Sequence, residues 1–208
     1  MNPVVEKRLK ERIRPLLEKG RGGDWGHTLR VVDYGRRLLR HEEGEEDVVI
    51  PALYLHDIGW GWVDTVEFVK AAPSQKDSYS FLIEHMKKGA EIAGKIVKEF
   101  DFKEANCRAI EAIVAVHDLP EQIFRMKSPS ALLVMEADRL DRFGPESLKR
   151  FRSIHGRNIS KKEQEQAFAF LRMGLATWFK TQTAKAMARD LAASTGLIKE
   201  KTAEPHPV

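Results

Sequence analysis

The dipeptide His56-Asp57 closes an apolar run, ALYLHDIGW. An imidazole beside a carboxylate makes a poor core pair, because a buried unpaired carboxylate must be compensated or take up a proton. The same two groups make a good metal clamp, since neutral imidazole nitrogen and ionised carboxylate oxygen are ligands that zinc, manganese and iron accept. His27, His85, His117 and Asp138 also fall where an apolar face is expected. A single such residue is most often a satisfied core histidine. Five placements on separate segments share one explanation, a cation between them that compensates both aspartates and keeps the imidazoles neutral.

Helical periodicity positions each of these residues. Residues 3–19 carry Val5, Leu9, Ile13 and Leu16 on one face and charges on the other, with Pro15 expected to bend or end the helix. Gly20, Gly22 and Gly23 break the chain, and Asp24 is predicted as the next N-cap. Over residues 25–42, His27, Val31, Tyr34 and Leu38 share a face; over 46–57, Val49, Ala52, Leu53 and His56 do, and Gly59 closes that segment. Residues 59–79 mix Gly59, Trp60, Gly61, Trp62, Pro73 and Ser74 without a sustained period and are read as a partly helical loop. Trp60 and Trp62 either stack on a substrate ring or plug the edge of the core.

Helix is expected again over 80–100, with His85, Gly89, Ile92, Ile96 and Phe100 on one face. The small Gly89 and Ala90 admit close approach of another helix or a ligand. Residues 104–118 turn Ile110, Ile113, Val114 and His117 inward, with Pro120 as a stop. Ser128 and Pro129 read as N-cap and first-turn proline of a helix carrying Ala131, Val134, Met135 and Asp138 on one face. Asp118 reads as a turn residue or as an acceptor for an imidazole N–H. Asp141 reads as an outer support of the site or a partner for Arg139 or Arg142. Residues 146–192 are apolar-periodic, with Phe168, Leu171, Leu175 and Phe179 prominent, and suit packing, homodimer contacts or a side wall of the pocket. No strand-like alternation of useful length occurs, so the fold class is all-α.

Composition narrows the field. The 208 residues suffice for one well-buried domain, and 42% hydrophobic with 32% charged residues is a globular balance. The net charge of +4 is dispersed, with no basic stripe interleaved with aromatics, so no extensive nucleic-acid interface is expected. One cysteine, Cys107, rules out a disulfide framework within the chain and reads as a buried structural thiol. No stretch has the length of a membrane span, and the expectation is a cytoplasmic protein without membrane partners. His41, among glutamates, and His155 read as surface residues.

Taken in order, DWGHTLRV, LYLHDIGW, HMKKGAEIA, AIVAVHD and EADRLDRFG resemble the HD-domain metal-dependent phosphohydrolase superfamily, and in particular small stand-alone HD phosphohydrolases and pyrophosphohydrolases. The resemblance implies an HD-domain helical bundle: one domain over 1–193, with a metal-site core at about 24–144 and a helical extension at 145–193, followed by a flexible tail at 194–208. His27, His56, Asp57 and Asp138 match the primary metal ligands. His85 and His117 match positions that bind a second metal or the substrate phosphate. One departure is Glu136, which stands where related sequences often carry an aspartate.

The cofactor implied is one or two divalent ions, manganese, iron, magnesium, cobalt, nickel or zinc. The activity implied is hydrolysis of a phosphoester or phosphoanhydride in a small phosphorylated substrate, with Asp57, His85 and His117 catalytic. A nucleotide is favoured because the tryptophans could receive a base. Substrate contacts are expected from Arg30, Lys88 and Trp60, with Arg139 a further cation beside the site. Two other readings stand. The same six ligands resemble those of mixed-valent di-iron oxygenases on this frame, and some HD-like domains are nucleotide-sensing binding modules. Retention of all six ligands argues against the last.

Overall fold

The computed structural model describes residues 1–71, 75–158 and 160–198. Eleven α-helices are found among them, and no strand. The all-α expectation holds.

Helix α1 (Pro3–Glu18) is capped by Asn2, whose side chain accepts from the Val4 N–H, and it continues three residues past Pro15. Helix α2 (Asp24–Leu38) follows a glycine-rich turn in which Gly23 takes φ +88°, a left-handed value natural only to glycine. Helix α3 (Glu46–Leu55) is the centre of the molecule: every residue from Val48 to Leu55 is buried. It packs against α2, α6 (Glu104–Val114) and α8 (Pro129–Leu140). Its apolar surface all round is what a fully enclosed helix requires.

Beyond α3 a short 3₁₀ turn (Ile58–Trp62) lies between α1 and the long helix α5 (Gln75–Val97), with α4 (Thr65–Ala71) between the two in sequence. Of the partly helical loop expected over 59–79, the described residues are largely helical, and Pro73 and Ser74 lie outside the described residues. Helix α5 also begins five residues earlier than the periodicity starting at residue 80. The turn approaches α5 through paired glycines. A Cβ on Gly59 would lie 1.9 Å from the His85 carbonyl oxygen and 2.6 Å from the Gly89 nitrogen. The close neighbour anticipated at Gly89 is therefore the backbone that follows His56-Asp57.

Pro120 does not stop a helix but starts one, α7 (Pro120–Met126), where its missing N–H costs nothing. Ser128 caps α8 as expected, accepting from the Ala131 N–H. Helices α9 (Ser147–His155), α10 (Lys161–Thr177) and α11 (Gln182–Ser194) complete the chain. Glu136, fully buried, holds the last of them in place. Its carboxylate accepts from the Lys180 N–H, the Thr181 N–H (3.0 Å) and the Thr181 hydroxyl (2.6 Å) at the start of α11. The departure at position 136 is thus a structural pin. Cys107 is buried, as read from sequence, and burial pushes its thiol up. No helix among the described residues is long and apolar enough to cross a membrane. The tail expected over 194–208 lies largely outside the described residues.

Candidate metal centre

Five segments deliver polar groups to one buried space. His27 comes from the first turn of α2, His56 and Asp57 from the end of α3, and His85 from the middle of α5. His117 and Asp118 follow α6, and Asp138 lies in the last turn of α8. Each histidine is at most 2% exposed, Asp57 5% and Asp138 7%, so water does not compensate these charges.

The ligand atoms form two sets joined by Asp57. In the first, His27 Nε2 lies 3.1 Å from His56 Nε2, 3.1 Å from Asp138 Oδ1 and 3.5 Å from Asp57 Oδ2. His56 Nε2 lies 3.4 Å from Asp57 Oδ2 and 3.6 Å from Asp138 Oδ1. Ligands at about 2.0–2.2 Å from one ion sit roughly 3.0–3.5 Å from one another, so this set fits a divalent cation with nitrogen and oxygen ligands. In the second set, His85 Nε2 and His117 Nε2 are 3.4 Å apart, and they lie 3.9 and 3.8 Å from Asp57 Oδ1. Asp118 Oδ2 is 3.6 Å from the first and 3.8 Å from the second. Asp57 thus turns one oxygen to each set.

The outer nitrogens are held as metal-ligating histidines require. His56 Nδ1 donates to the Leu53 carbonyl and His117 Nδ1 to the Val114 carbonyl, both at 2.8 Å, which turns each Nε2 inward. His27 Nδ1 meets Asp141 Oδ2 at 2.7 Å. Asp141 also accepts two bonds from Arg30, at 2.6 and 2.9 Å. Asp141 is therefore an outer support of the site as one reading had it, but its partner is Arg30 rather than Arg139 or Arg142. His85 is held differently: its ring stacks on Trp60 (centroids 4.2 Å apart, 15° between planes), and its Nδ1 is buried without a partner.

Burial alone favours the neutral form, and at His56, Asp57 and Asp138 the neighbours outweigh it. Burial pulls His56 down, but Asp57 and Asp138 outweigh it and raise it well above its ordinary value. A divalent ion therefore competes with a proton at that nitrogen. Burial, with His117 beside it, brings His85 down to about 3, the neutral form a ligand needs. Burial pushes Asp57 up, but Arg21 and His56 hold it well below the carboxylate range; Asp138 is held low against burial by His27 and His56.

Three cations surround these carboxylates, and the spacing flagged neither Arg21 nor Arg150. Arg21, from the glycine-rich turn, donates to Asp57 Oδ2 at 2.6 Å and lies over the Trp60 ring. Arg150, from α9, donates to the same oxygen at 3.0 Å. Both also pair with Asp24, which accepts from the Arg21 N–H and side chain and from Arg150. Asp24 is thus a buried bridge to two arginines, and it does not cap α2, whose N-cap is Gly23. Arg142 lies 3.6 Å from Asp118 and 3.7 Å from Asp138.

The other expected residues divide. Asp118 faces the site rather than merely making a turn. Trp60 is 1% exposed and its indole N–H donates to Asp57 Oδ1 at 3.1 Å, so it supports ligands and offers no free face to a substrate ring. Trp62 is 43% exposed with Lys19 over its ring. Lys88 pairs with Glu91 on the surface of α5. Arg139 meets the Trp178 carbonyl and ring, away from the histidines. His41 is exposed; His155 is half-buried and stacked on Phe151.

An all-α bundle whose helices converge on a buried His/Asp centre able to hold metal defines the class. The family model of the HD domain matches residues 24–142, and the chain belongs to the HD-domain family. A similar solved structure is a predicted HD superfamily hydrolase from an uncultured Thermotogales bacterium. It is 19% identical, covers 91% of this chain and 86% of its own, and superposes with a TM-score of 0.55, a likeness of fold. Comparison with curated proteins gave no match.

Proposed function

We propose that the protein is a metal-dependent phosphohydrolase that cleaves a phosphoester or phosphoanhydride bond of a small substrate, a nucleotide being the favoured class. The observation that carries this reading is Asp57 shared between two ligand sets while Arg21 and Arg150 reach the same carboxylate. Carboxylates and imidazoles would hold one or two divalent ions, and guanidinium groups beside them suit a phosphoryl group. His27, His56, Asp57 and Asp138 would hold the first ion, and His85 and His117, with Asp57, a second or the phosphate itself. Bound there, a divalent cation lowers the pKa of water and draws charge from a phosphoryl oxygen.

The chain's own groups account for the rest. Arg21 and Arg150 would turn from Asp57 to the phosphoryl oxygens as the charge on Asp57 is met. Both Asp57 oxygens are committed, one turned to each ligand set. That favours Asp118, whose side chain is 22% exposed, as acceptor of the water proton. The water oxygen forms the new P–O bond, the bond to the leaving oxygen breaks, and that oxygen takes the proton: one water is consumed, and an alcohol or phosphate leaves. In this reading Arg30 acts through Asp141, as a positioning residue.

The test is phosphate and pyrophosphate release over a nucleotide and phosphoester panel with manganese, magnesium, cobalt or nickel. Metal-dependent release that Asp57→Asn abolishes is expected. Absence of release from every compound with every metal would overturn the reading. A mixed-valent di-iron oxygenase draws on the same shared Asp57. A coupled di-iron spectrum in anaerobically purified protein, with oxygen consumption in place of phosphate release, would select it.

A further inference from the structure

Beside the metal centre lies a cleft of about 350 Å³ between α9 and α10. Its walls are Leu148, Phe151, Ile154, Ala167, Phe170 and Leu171, and its polar residues are Asp141, Arg142, Arg150 and Ser147. Three of those four already belong to the metal centre. Asp141 carries His27, Arg142 lies beside Asp118 and Asp138, and Arg150 donates to Asp57. The cleft and the ligand cluster therefore share Asp141, Arg142 and Arg150, with the arginines where the two meet. Arg150 adds an independent sign: its Nε is buried with no acceptor, although its Nη2 is paired with Asp24 and Asp57. A buried guanidinium N–H without a partner is costly, and an anionic oxygen at the junction would satisfy it.

The apolar side is equally uncommitted. Phe170 is 50% exposed and meets Trp178 edge-on at 5.1 Å. Phe151 lies in the same wall and is backed by the stacked His155 ring. Aromatic and branched side chains around a cleft of this size, with a few charged groups at one end, are the usual makeup of a small-molecule site. Both α9 and α10 lie outside residues 24–142, so this wall is built by the part of the chain beyond the HD match.

We infer that the α9–α10 cleft receives a flat aromatic group of the substrate, a base or an aryl ring, while Arg150 and Arg142 orient the attached phosphate toward the ligand cluster. This rests on the phosphohydrolase reading and replaces Trp60 as the place where a ring is bound. The cleft faces the side of the centre where Arg150 reaches Asp57, so the organic group and the phosphate would span one junction. Phe151 and Phe170 supply ring faces, and Arg150 supplies both a bound anion's partner and the selectivity for one.

The test separates binding from turnover. Binding of 1-naphthylphosphonate and of methylphosphonate to the metal-loaded protein is measured by calorimetry, and hydrolysis of the corresponding phosphate esters is followed in parallel. A naphthyl over methyl preference is expected, falling about tenfold in Phe170→Ala and in Ala167→Phe, which truncates or fills the cleft. Phe170 is half exposed, so its truncation leaves the fold intact, and circular dichroism checks both variants. Phe124→Ala, on the exposed surface of α7, should leave the preference as it is. Arg150→Lys, which keeps charge but loses the fork, should weaken both phosphonates alike. Equal affinity for the two phosphonates in the unmodified protein, or a preference unmoved by both cleft variants, would overturn the inference. So would a dimer that dissociates on Phe170→Ala in sedimentation, since a second copy would then be the occupant. Selective phosphonate binding with no release from either ester or from any compound of the nucleotide panel with any metal would overturn the phosphohydrolase reading and leave the cleft standing.

Discussion

Replacing Gly59 by alanine tests whether the turn after Asp57 sets the geometry of the second ligand set. The new Cβ would stand 1.9 Å from the His85 carbonyl oxygen, 2.6 Å from the Gly89 nitrogen and 2.8 Å from the His85 carbonyl carbon. Carbon and carbonyl oxygen approach no closer than about 3.3 Å, so turn and α5 must part by about 1.4 Å. All three obstacles are backbone, so no side chain can rotate aside. His85 hangs from the displaced peptide and Asp57 lies two residues before the substitution. The 3.4 and 3.9 Å separations of His85 Nε2 from His117 and Asp57 must open. Overpacking of this kind costs about 3 kcal/mol, which for a chain of this size lowers Tm by about 6–12 °C. A displacement of an ångström at the chemistry costs about a hundredfold in kcat/KM. Differential scanning calorimetry, metal content by mass spectrometry and phosphate release would be read together on the same preparation. Gly26→Ala, in the first turn of α2, is the comparison: its nearest neighbour would be the flexible Arg30 Nη1 at 3.4 Å, so Tm should hold. A Gly59→Ala protein with unchanged Tm, metal content and kcat/KM would refute the reasoning.

Removing Asp57 should cost both ligand sets, whereas removing His117 should cost one. Metal analysis should therefore find Asp57→Ala poorest in bound ion and His117→Ala intermediate; equal retention by the two variants would contradict the shared-carboxylate geometry. Acid stability should depend on Glu6. Burial pushes its carboxyl up, but hydrogen bonds from Tyr54, Lys10 and Arg36 outweigh burial and hold it at about 2 against an ordinary 4.5. A lowered carboxylate contributes stability that is complete above pH 4.5 and lost as pH falls toward 2. Full linkage over that shift is about 3 kcal/mol, and solvent screening at this partly exposed group lowers it. Urea melts of Glu6→Gln should show a shallower loss of stability across that window than the parent, and coincident pH profiles would count against it.

The clustered histidines and aspartates were legible because metal chemistry uses few residue types and because each was displaced from where it should be. A histidine at position 27, 85 or 117 on a face of Val, Ile and Leu is anomalous in a helix read by itself, and so is an aspartate at 138. Asp118 was less legible, since an aspartate before Leu-Pro suits a turn equally well. Arg21 and Arg150 were not legible at all. One sits in a glycine-rich turn and the other on a charged helix 93 residues beyond Asp57, where a solvated arginine is ordinary. Only tertiary contact makes them part of the site. Asp24 misled for the same reason: its type and place fit an N-cap, but two arginines compete for it more strongly than backbone N–H groups do. For Trp60 composition left two readings, a ring open to a substrate or a plug at the edge of the core, and its burial matches the second. The paired Gly59 and Gly89 let its turn sink against α5.

Trp60 also gives the protein an intrinsic optical probe. Its indole is sealed from water, lies face to face with His85 and is bonded to Asp57, the residue common to both ligand sets. Any change in the charge carried by that imidazole or that carboxylate acts directly on the excited state of the ring. Loading the centre should therefore shift or quench emission from this one chromophore among the four tryptophans, and Trp60→Phe should silence the signal. Occupancy could then be followed in solution without label or turnover.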